Sequence, residues 1–84
     1  MPFFVYLIVS NLKKNKKISY VAYTNNLEKR LSLHNSGKGA KFTRGRKWKL
    51  IYKEKCSTKN RAISREYYIK HNRKIRNLIK EKYQ

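Results

Sequence analysis

The sequence predicts an α+β fold, a small three-stranded antiparallel sheet flanked by three helices, and three observations predict it. Phe3 to Ser10, Ile18 to Thr24 and Trp48 to Lys55 are strand-length runs rich in β-branched and aromatic residues. Asn25 to Asn35, Ser57 to Asn72 and Arg73 to Tyr83 instead space their apolar residues for helices and begin or end on cap-forming residues. An apolar content of 39% with 13% aromatics is too high for a disordered basic arm. The 84 residues give room for one domain, 1–84, with neither an internal repeat nor a linker.

Phe3 to Ser10 is apolar on both faces, as in a strand covered from both sides. The lysine-rich stretch Asn11 to Lys17 is short enough to make the first two strands an antiparallel hairpin. A turn centred near Lys13 and Lys14 sets Tyr6 opposite Tyr20 on one face. Asn25 with Glu28 three residues on approximates a capping box, Leu27, Leu31 and His34 follow, and Asn35-Ser36-Gly37 closes the helix. Gly37 to Lys47 is a basic loop holding all three glycines together with Lys38, Lys41, Arg44, Arg46 and Lys47. After the third strand, Ser57 or Thr58 caps a helix with the apolar stripe Ala62, Ile63, Tyr67 and Ile69. The last helix gathers Ile75, Leu78 and Ile79 on one side.

Twenty-three Lys and Arg stand against four acids, Glu28, Glu54, Glu66 and Glu81, for a formal net charge of +19. That balance points to a polyanionic partner, nucleic acid first, because neutralising phosphates releases condensed counterions. A membrane surface fits less well, since the cations are spread over several segments and are not gathered on one amphipathic face. No stretch has the length and apolarity of a membrane span, and Phe3 to Val9 lacks the charged start and cleavage region of a signal peptide. A cytoplasmic setting, with association to the nucleoid open, is the expectation. The single cysteine, Cys56, excludes an internal disulfide and reads as a small hydrophobe at a strand end.

Three features carry chemistry. Arg30 and His34 share a helix face, which is either a solvated basic face or a phosphate clamp. Glu66 lies along the edge of an apolar stripe, one turn from Ala62 and Ile63. An inward carboxylate there is either a salt-bridge partner for an arginine or a ligand for a hard divalent cation. Trp48 is either core or a stacking surface for an unpaired base, with core the commoner fate of a strand tryptophan.

Taken in order, these positions resemble the GIY-YIG nuclease family, in its small single-domain branch. Val5-Tyr6-Leu7 stands at the first motif and Tyr20-Val21-Ala22 at the second, continued by Tyr23-Thr24. Asn26 to Leu31 and His34 to Arg46 match a long family segment, and Thr58, Ala62, Glu66 and Lys70 match the helix that carries the family's acid. The resemblance implies a βαβ-type sheet-and-helix fold and a metal-dependent endonuclease acting on DNA, with branched or damaged DNA as candidate substrates. It makes Tyr6 the general base, Tyr20 a hydrogen-bonding group, His34 an aid to proton movement and Arg30 a stabiliser of transition-state charge. Glu66 is the implied holder of one Mg²⁺ or Mn²⁺, completed only with DNA bound.

A free tyrosine has a pKa of about 10, and a cluster of cations together with a metal-bound phosphate is expected to stabilise the Tyr6 phenolate and bring it into range. Lys38, Lys41, Arg44, Arg46, Lys47 and Lys70 are the expected nucleic-acid contacts. The small branch it resembles carries no appended targeting domain, which implies that substrate choice falls to this surface or to a protein partner. Three departures stand out: Ala22 replaces the second motif's glycine, Phe42 a common tyrosine, and Trp48 a common proline. Ala22 leaves a catalytically idle nucleic-acid-binding module, for DNA or RNA, as the alternative, with a ribosome-style RNA-associated protein third.

Overall fold

The computed structural model describes residues 2–13 and 16–82. Elements run β1 (Phe3–Lys13), β2 (Lys16–Thr24), α1 (Leu27–Asn35), a 3-10 turn (Lys41–Thr43), β3 (Lys49–Cys56), α2 (Lys59–Lys70) and α3 (Arg73–Lys82). The sheet order is β2-β1-β3, and β1 runs antiparallel to both neighbours. β2 and β3 are therefore parallel to each other, with α1 on the crossover between them. The fold is the expected α+β arrangement.

β1 is central because its residues can be buried on both faces. Val5, Tyr6, Leu7 and Ile8 are consecutive, and each is at most 1% exposed. Val5 and Leu7 face α2 and α3, in a core with Val21, Ile51, Cys56, Ala62, Ile69 and Ile79. Tyr6 and Ile8 face the other way and pack with Trp48, flanked by Tyr20, Ala22, Leu27, Leu31 and Leu50. Cys56 and Trp48 are thus core residues, as their positions suggested. A register shift between Leu7 and Ile8 against β3 leaves Ile51 as the extra residue, so the adjacent Ile51 and Tyr52 serve one core and Leu50 the other.

Four local expectations need correction. Tyr6 pairs with Ala22, and Tyr20 with Ile8, so the tyrosines are diagonal neighbours and not directly opposed. The turn expected near Lys13 and Lys14 falls in part outside the described residues, as does Tyr83 at the expected end of α3. Asn26, not Asn25, caps α1, with its side chain accepting from the Lys29 N–H. On α2 the inward line is Ala62, Glu66 and Ile69, while Ile63 and Tyr67 are exposed; on α3, Leu78 is exposed and Ile79 buried. Apolar type alone misassigned these residues, because α2 has a short inward face and its flanks meet solvent. Thr58 caps α2 as expected, accepting from Arg61.

Candidate active site

The path from α1 to β3 shapes the site. Helix α1 closes with Gly37 in the left-handed region (φ 81), the Lys38 N–H bonding Leu33 O at 2.9 Å and the Gly37 N–H bonding His34 O at 3.3 Å. Asn35, the last helical residue, holds the far end of the loop. Its Oδ1 accepts from the Trp48 N–H at 2.6 Å and its Nδ2 donates to Trp48 O at 3.2 Å. A basic loop full of like charges is thereby clasped at both ends. Inside it, the 3-10 turn buries Thr43 completely, and the Trp48 indole N–H donates to Thr43 O at 2.9 Å. Gly39 lies so close to His34 that a Cβ there would sit 2.5 Å from Nδ1.

These contacts give one side-chain chain a fixed direction. The Thr43 hydroxyl donates its single proton to Ala40 O at 2.8 Å. Towards His34 it can therefore only accept, and His34 Nδ1–H donates to it at 2.9 Å. A neutral imidazole protonated on Nδ1 has a lone pair on Nε2, which accepts the Tyr6 O–H at 2.7 Å. Tyr6 is 1% and His34 0% exposed. The Tyr20 ring stands edge-on to His34 with centroids 5.3 Å apart.

Electrostatics keep this chain in its neutral form. Burial lowers the His34 pKa below the ordinary imidazole value, and the Arg30 charge lowers it further. Burial raises the Tyr6 pKa above the ordinary phenol value, outweighing the hydrogen bond and charge of Arg30, which act to lower it. The charges of Tyr20 and Glu66 push it the same way as burial. The protein's own cations thus do not by themselves bring the Tyr6 pKa down. Tyr6 keeps its proton and holds it against a ready acceptor. Arg30, Tyr20, His34 and Glu66 are all near enough to act on Tyr6 electrostatically or by direct contact.

Glu66 has no arginine partner among the described residues. Its one ion pair there is with Lys70, one turn along α2, at 4.0 Å, the long limit of such a contact. The arginine clamp is elsewhere: Arg65 Nε and Nη2 reach Glu54 Oε2 and Oε1 at 2.6 and 2.9 Å, and the Tyr52 hydroxyl donates to Oε1 at 2.8 Å. Arg65 holds the Glu54 carboxyl below the usual carboxylate range. Glu66 keeps acceptor capacity for a hard cation, which retains its own waters and needs few protein ligands. No group of three or more His, Cys, Asp or Glu that could hold a metal occurs among the described residues. Such a donor set suits an ion whose shell is filled mainly by water and substrate oxygens.

The expected contact residues Lys38, Lys41, Arg44, Lys47 and Lys70 are exposed, and Arg46 is half-buried. Among the described residues, no helix is long and apolar enough to cross a membrane. Sequence reasoning missed Thr43, Gly39 and the second role of Asn35. Thr43 gave no signal among five loop cations. Gly39 was visible only as one loop glycine among three.

Comparison with known proteins identifies the fold and the family. A model of the GIY-YIG catalytic domain matches residues 2–82. A UPF0213 protein of Bacillus licheniformis is 54% identical over 65 residues, 76% of this chain and 64% of the relative. A UPF0213 protein of Clostridium perfringens is 55% identical over 60 residues, 70% of this chain and 64% of the relative. The chain thus spans about 64% of the length of these curated relatives. The solution NMR structure of a UPF0213 protein from Bacillus halodurans matches with a TM-score of 0.52 at 36% identity, covering 99% of this chain and 87% of that one. With its sheet, its helices and nearly its whole length matched, the chain belongs to the GIY-YIG family, whose catalytic domain is a nuclease fold.

Proposed function

We propose that the chain is a metal-dependent endonuclease that hydrolyses phosphodiester bonds in DNA, with Tyr6 as the group that takes the proton of the attacking water. The supporting observation is the directed chain from Tyr6 through His34 and Thr43 to Ala40 O. As water attacks phosphorus and the bond to the leaving ester oxygen breaks, Tyr6 oxygen accepts the water proton while the phenol proton passes to Nε2 of His34, and the departing oxygen takes a proton from solvent. No free phenolate has to exist, which suits a tyrosine whose pKa burial raises. His34 ends protonated on both nitrogens, with Thr43 still accepting from Nδ1. Arg30, one turn before His34 on α1, stabilises negative charge growing on the phosphoryl oxygens. Tyr20 braces the imidazole by its edge contact and presents its hydroxyl for substrate. Glu66 would hold Mg²⁺ or Mn²⁺, which when bound supplies Lewis-acid neutralisation of phosphoryl charge. Lys38, Lys41, Arg44, Arg46, Lys47 and Lys70 hold the backbone, and a protein partner is a further source of substrate choice.

The test is cleavage of labelled duplex, nicked and branched DNA in Mg²⁺ or Mn²⁺, comparing the protein with Tyr6→Phe and Glu66→Gln. General acid–base action contributes roughly 10²- to 10⁴-fold, so Tyr6→Phe should lose that much rate while retaining DNA affinity. Absence of Glu66-dependent cutting on every substrate refutes the reading. A second reading, an idle nucleic-acid-binding module, is favoured by the near-complete burial of Tyr6 and His34 and by Ala22 opposite Tyr6. It predicts salt-sensitive binding that neither metal nor Glu66→Gln alters.

A further inference from the structure

A groove of about 420 Å³ follows the edge strand β2, lined by Ser19, Tyr20, Val21, Phe42, Lys70 and Arg76. It shares Tyr20 with the candidate site, and its Lys70 is the neighbour of Glu66. One wall is aromatic. The Phe42 ring stacks on Tyr20, centroids 5.9 Å apart and planes 20° apart, and leans on Trp48 at 6.2 Å. Yet Phe42 is 53% exposed. It cannot sink further, because Thr43 beside it is tied to His34, Ala40 and Trp48. The other wall is cationic. Arg76 is anchored at the end of α2 by bonds to Ile69 O at 3.0 Å and to Lys70 O, and it lines the groove together with Lys70.

A half-exposed ring in a groove that also holds two cations, one of them anchored, matches one kind of ligand: a flat apolar ring joined to a phosphate. We propose that this groove receives an unpaired nucleobase of the bound strand, stacked on Phe42, with its flanking phosphates on Lys70 and Arg76. A base inside a duplex has both faces covered by its neighbours, so only an unpaired one can stack there. The stacking role open to Trp48 on sequence grounds belongs to Phe42, since Trp48 is in the core. This inference rests on the nuclease reading of the adjoining site and assigns it a substrate class: strands with an unpaired nucleotide near the scissile bond.

The experiment uses metal-free protein and oligodeoxynucleotides carrying 2-aminopurine as a single strand, as a one-nucleotide bulge in a duplex, or in a fully paired duplex. Quenching of the fluorophore is expected on binding of the first two but not the third. Phe42→Ala should abolish the quench and weaken binding of the unpaired substrates about 5- to 100-fold, since stacking is lost. Paired-duplex affinity, which is mainly electrostatic, should change by no more than about twofold. Phe42→Tyr should keep both the quench and the affinity, and circular dichroism of Phe42→Ala checks that its fold is intact. An oligoribonucleotide series decides whether an RNA base is received as well. Binding without quenching, or equal weakening of paired and unpaired substrates, overturns the groove assignment alone. Failure to bind any nucleic acid overturns the nuclease reading with it.

Discussion

Thr43→Val tests the proton path at its least obvious member. Valine keeps the shape of threonine but has no hydroxyl, so Nδ1–H of His34 loses its acceptor in a fully buried position. Leaving a buried donor unpaired costs about 1–3 kcal/mol. In a domain of this size each kcal/mol moves the thermal midpoint by roughly 4–8 °C, so a fall between about 4 and 24 °C is expected. The imidazole can relieve that cost by moving its proton to Nε2. It then donates to Tyr6, and Tyr6 has no acceptor for its own proton. The expected loss of cleavage rate is about 10²-fold or more, the range of general acid–base action, with DNA affinity unchanged. Thr43→Ser keeps the hydroxyl and should restore most of the rate. Rates are read on pre-bound DNA well below the lowered midpoint, which separates chemistry from unfolding. A Thr43→Val protein that loses stability yet cuts as fast as Thr43→Ser refutes the directed relay.

Gly39→Ala places a methyl group 2.5 Å from His34 Nδ1 and 3.0 Å from its Cα, where backbone must shift. We expect about 1–3 kcal/mol of lost stability together with lost cleavage, and an unchanged thermal midpoint contradicts this. His34 has a folded pKa below the ordinary value, so on acidification the unfolded chain takes up its proton first. Its contribution to stability is complete above about pH 6.5 and declines below it, whereas cleavage should persist to lower pH and fall only as folded His34 takes up its proton; His34→Gln should flatten that part of the stability curve. The depressed Glu54 carboxyl contributes stability that is lost as pH falls below about 4.3. Its pair with Arg65 is 24% and 42% exposed, so Glu54→Gln should cost about 1 kcal/mol or less in a neutral-pH melt and leave cleavage unchanged. Alanine at Lys38 or Lys41 should weaken binding to all DNA sequences alike and reduce the salt dependence by about one released ion each in a titration against salt.

Much of this was legible because side-chain alternation tolerates some errors and not others. The register read from the sequence moved the pairing of Tyr6 from Ala22 to Tyr20, a slip of two residues. A two-residue slip keeps every side chain on its face, so Tyr6, Tyr20 and Ala22 still fell together; a one-residue slip would have separated them. Helix α1 offered two adjacent asparagines, and Glu28 drew the choice to Asn25, although Asn26 makes the capping bond. Glu66 was placed at the edge of a stripe drawn through Ile63 and Tyr67, both of which face solvent. The residues that orient the site were not legible. Thr43, Gly39 and Asn35 act through close approach and hydrogen-bond direction, and neither leaves a mark in composition or periodicity.

The net charge of +19 points to a polyanionic class of partner but distributes little information over the surface, because cations lie almost everywhere. The four acids are more discriminating. Glu28 lies in the first turn of α1, where a helix N-terminus favours negative charge. Glu54 is neutralised by Arg65 and bonded by Tyr52. Glu81 is exposed near the end of α3. Glu66 alone faces Tyr6 and lacks a guanidinium, in a chain with arginine to spare and Arg65 directly beside it in sequence. A carboxylate needed only for packing would be closed by an arginine, as Glu54 is. In a protein built to attract phosphate, an acid left open beside the expected phosphate position raises the repulsion on the substrate unless a cation joins it. Among the described residues Glu66 is held only by its long contact to Lys70, and that loose pairing is compatible with the basicity of the rest through a third charge supplied with the substrate, which is why the metal dependence of cleavage is the measurement that separates enzyme from binder.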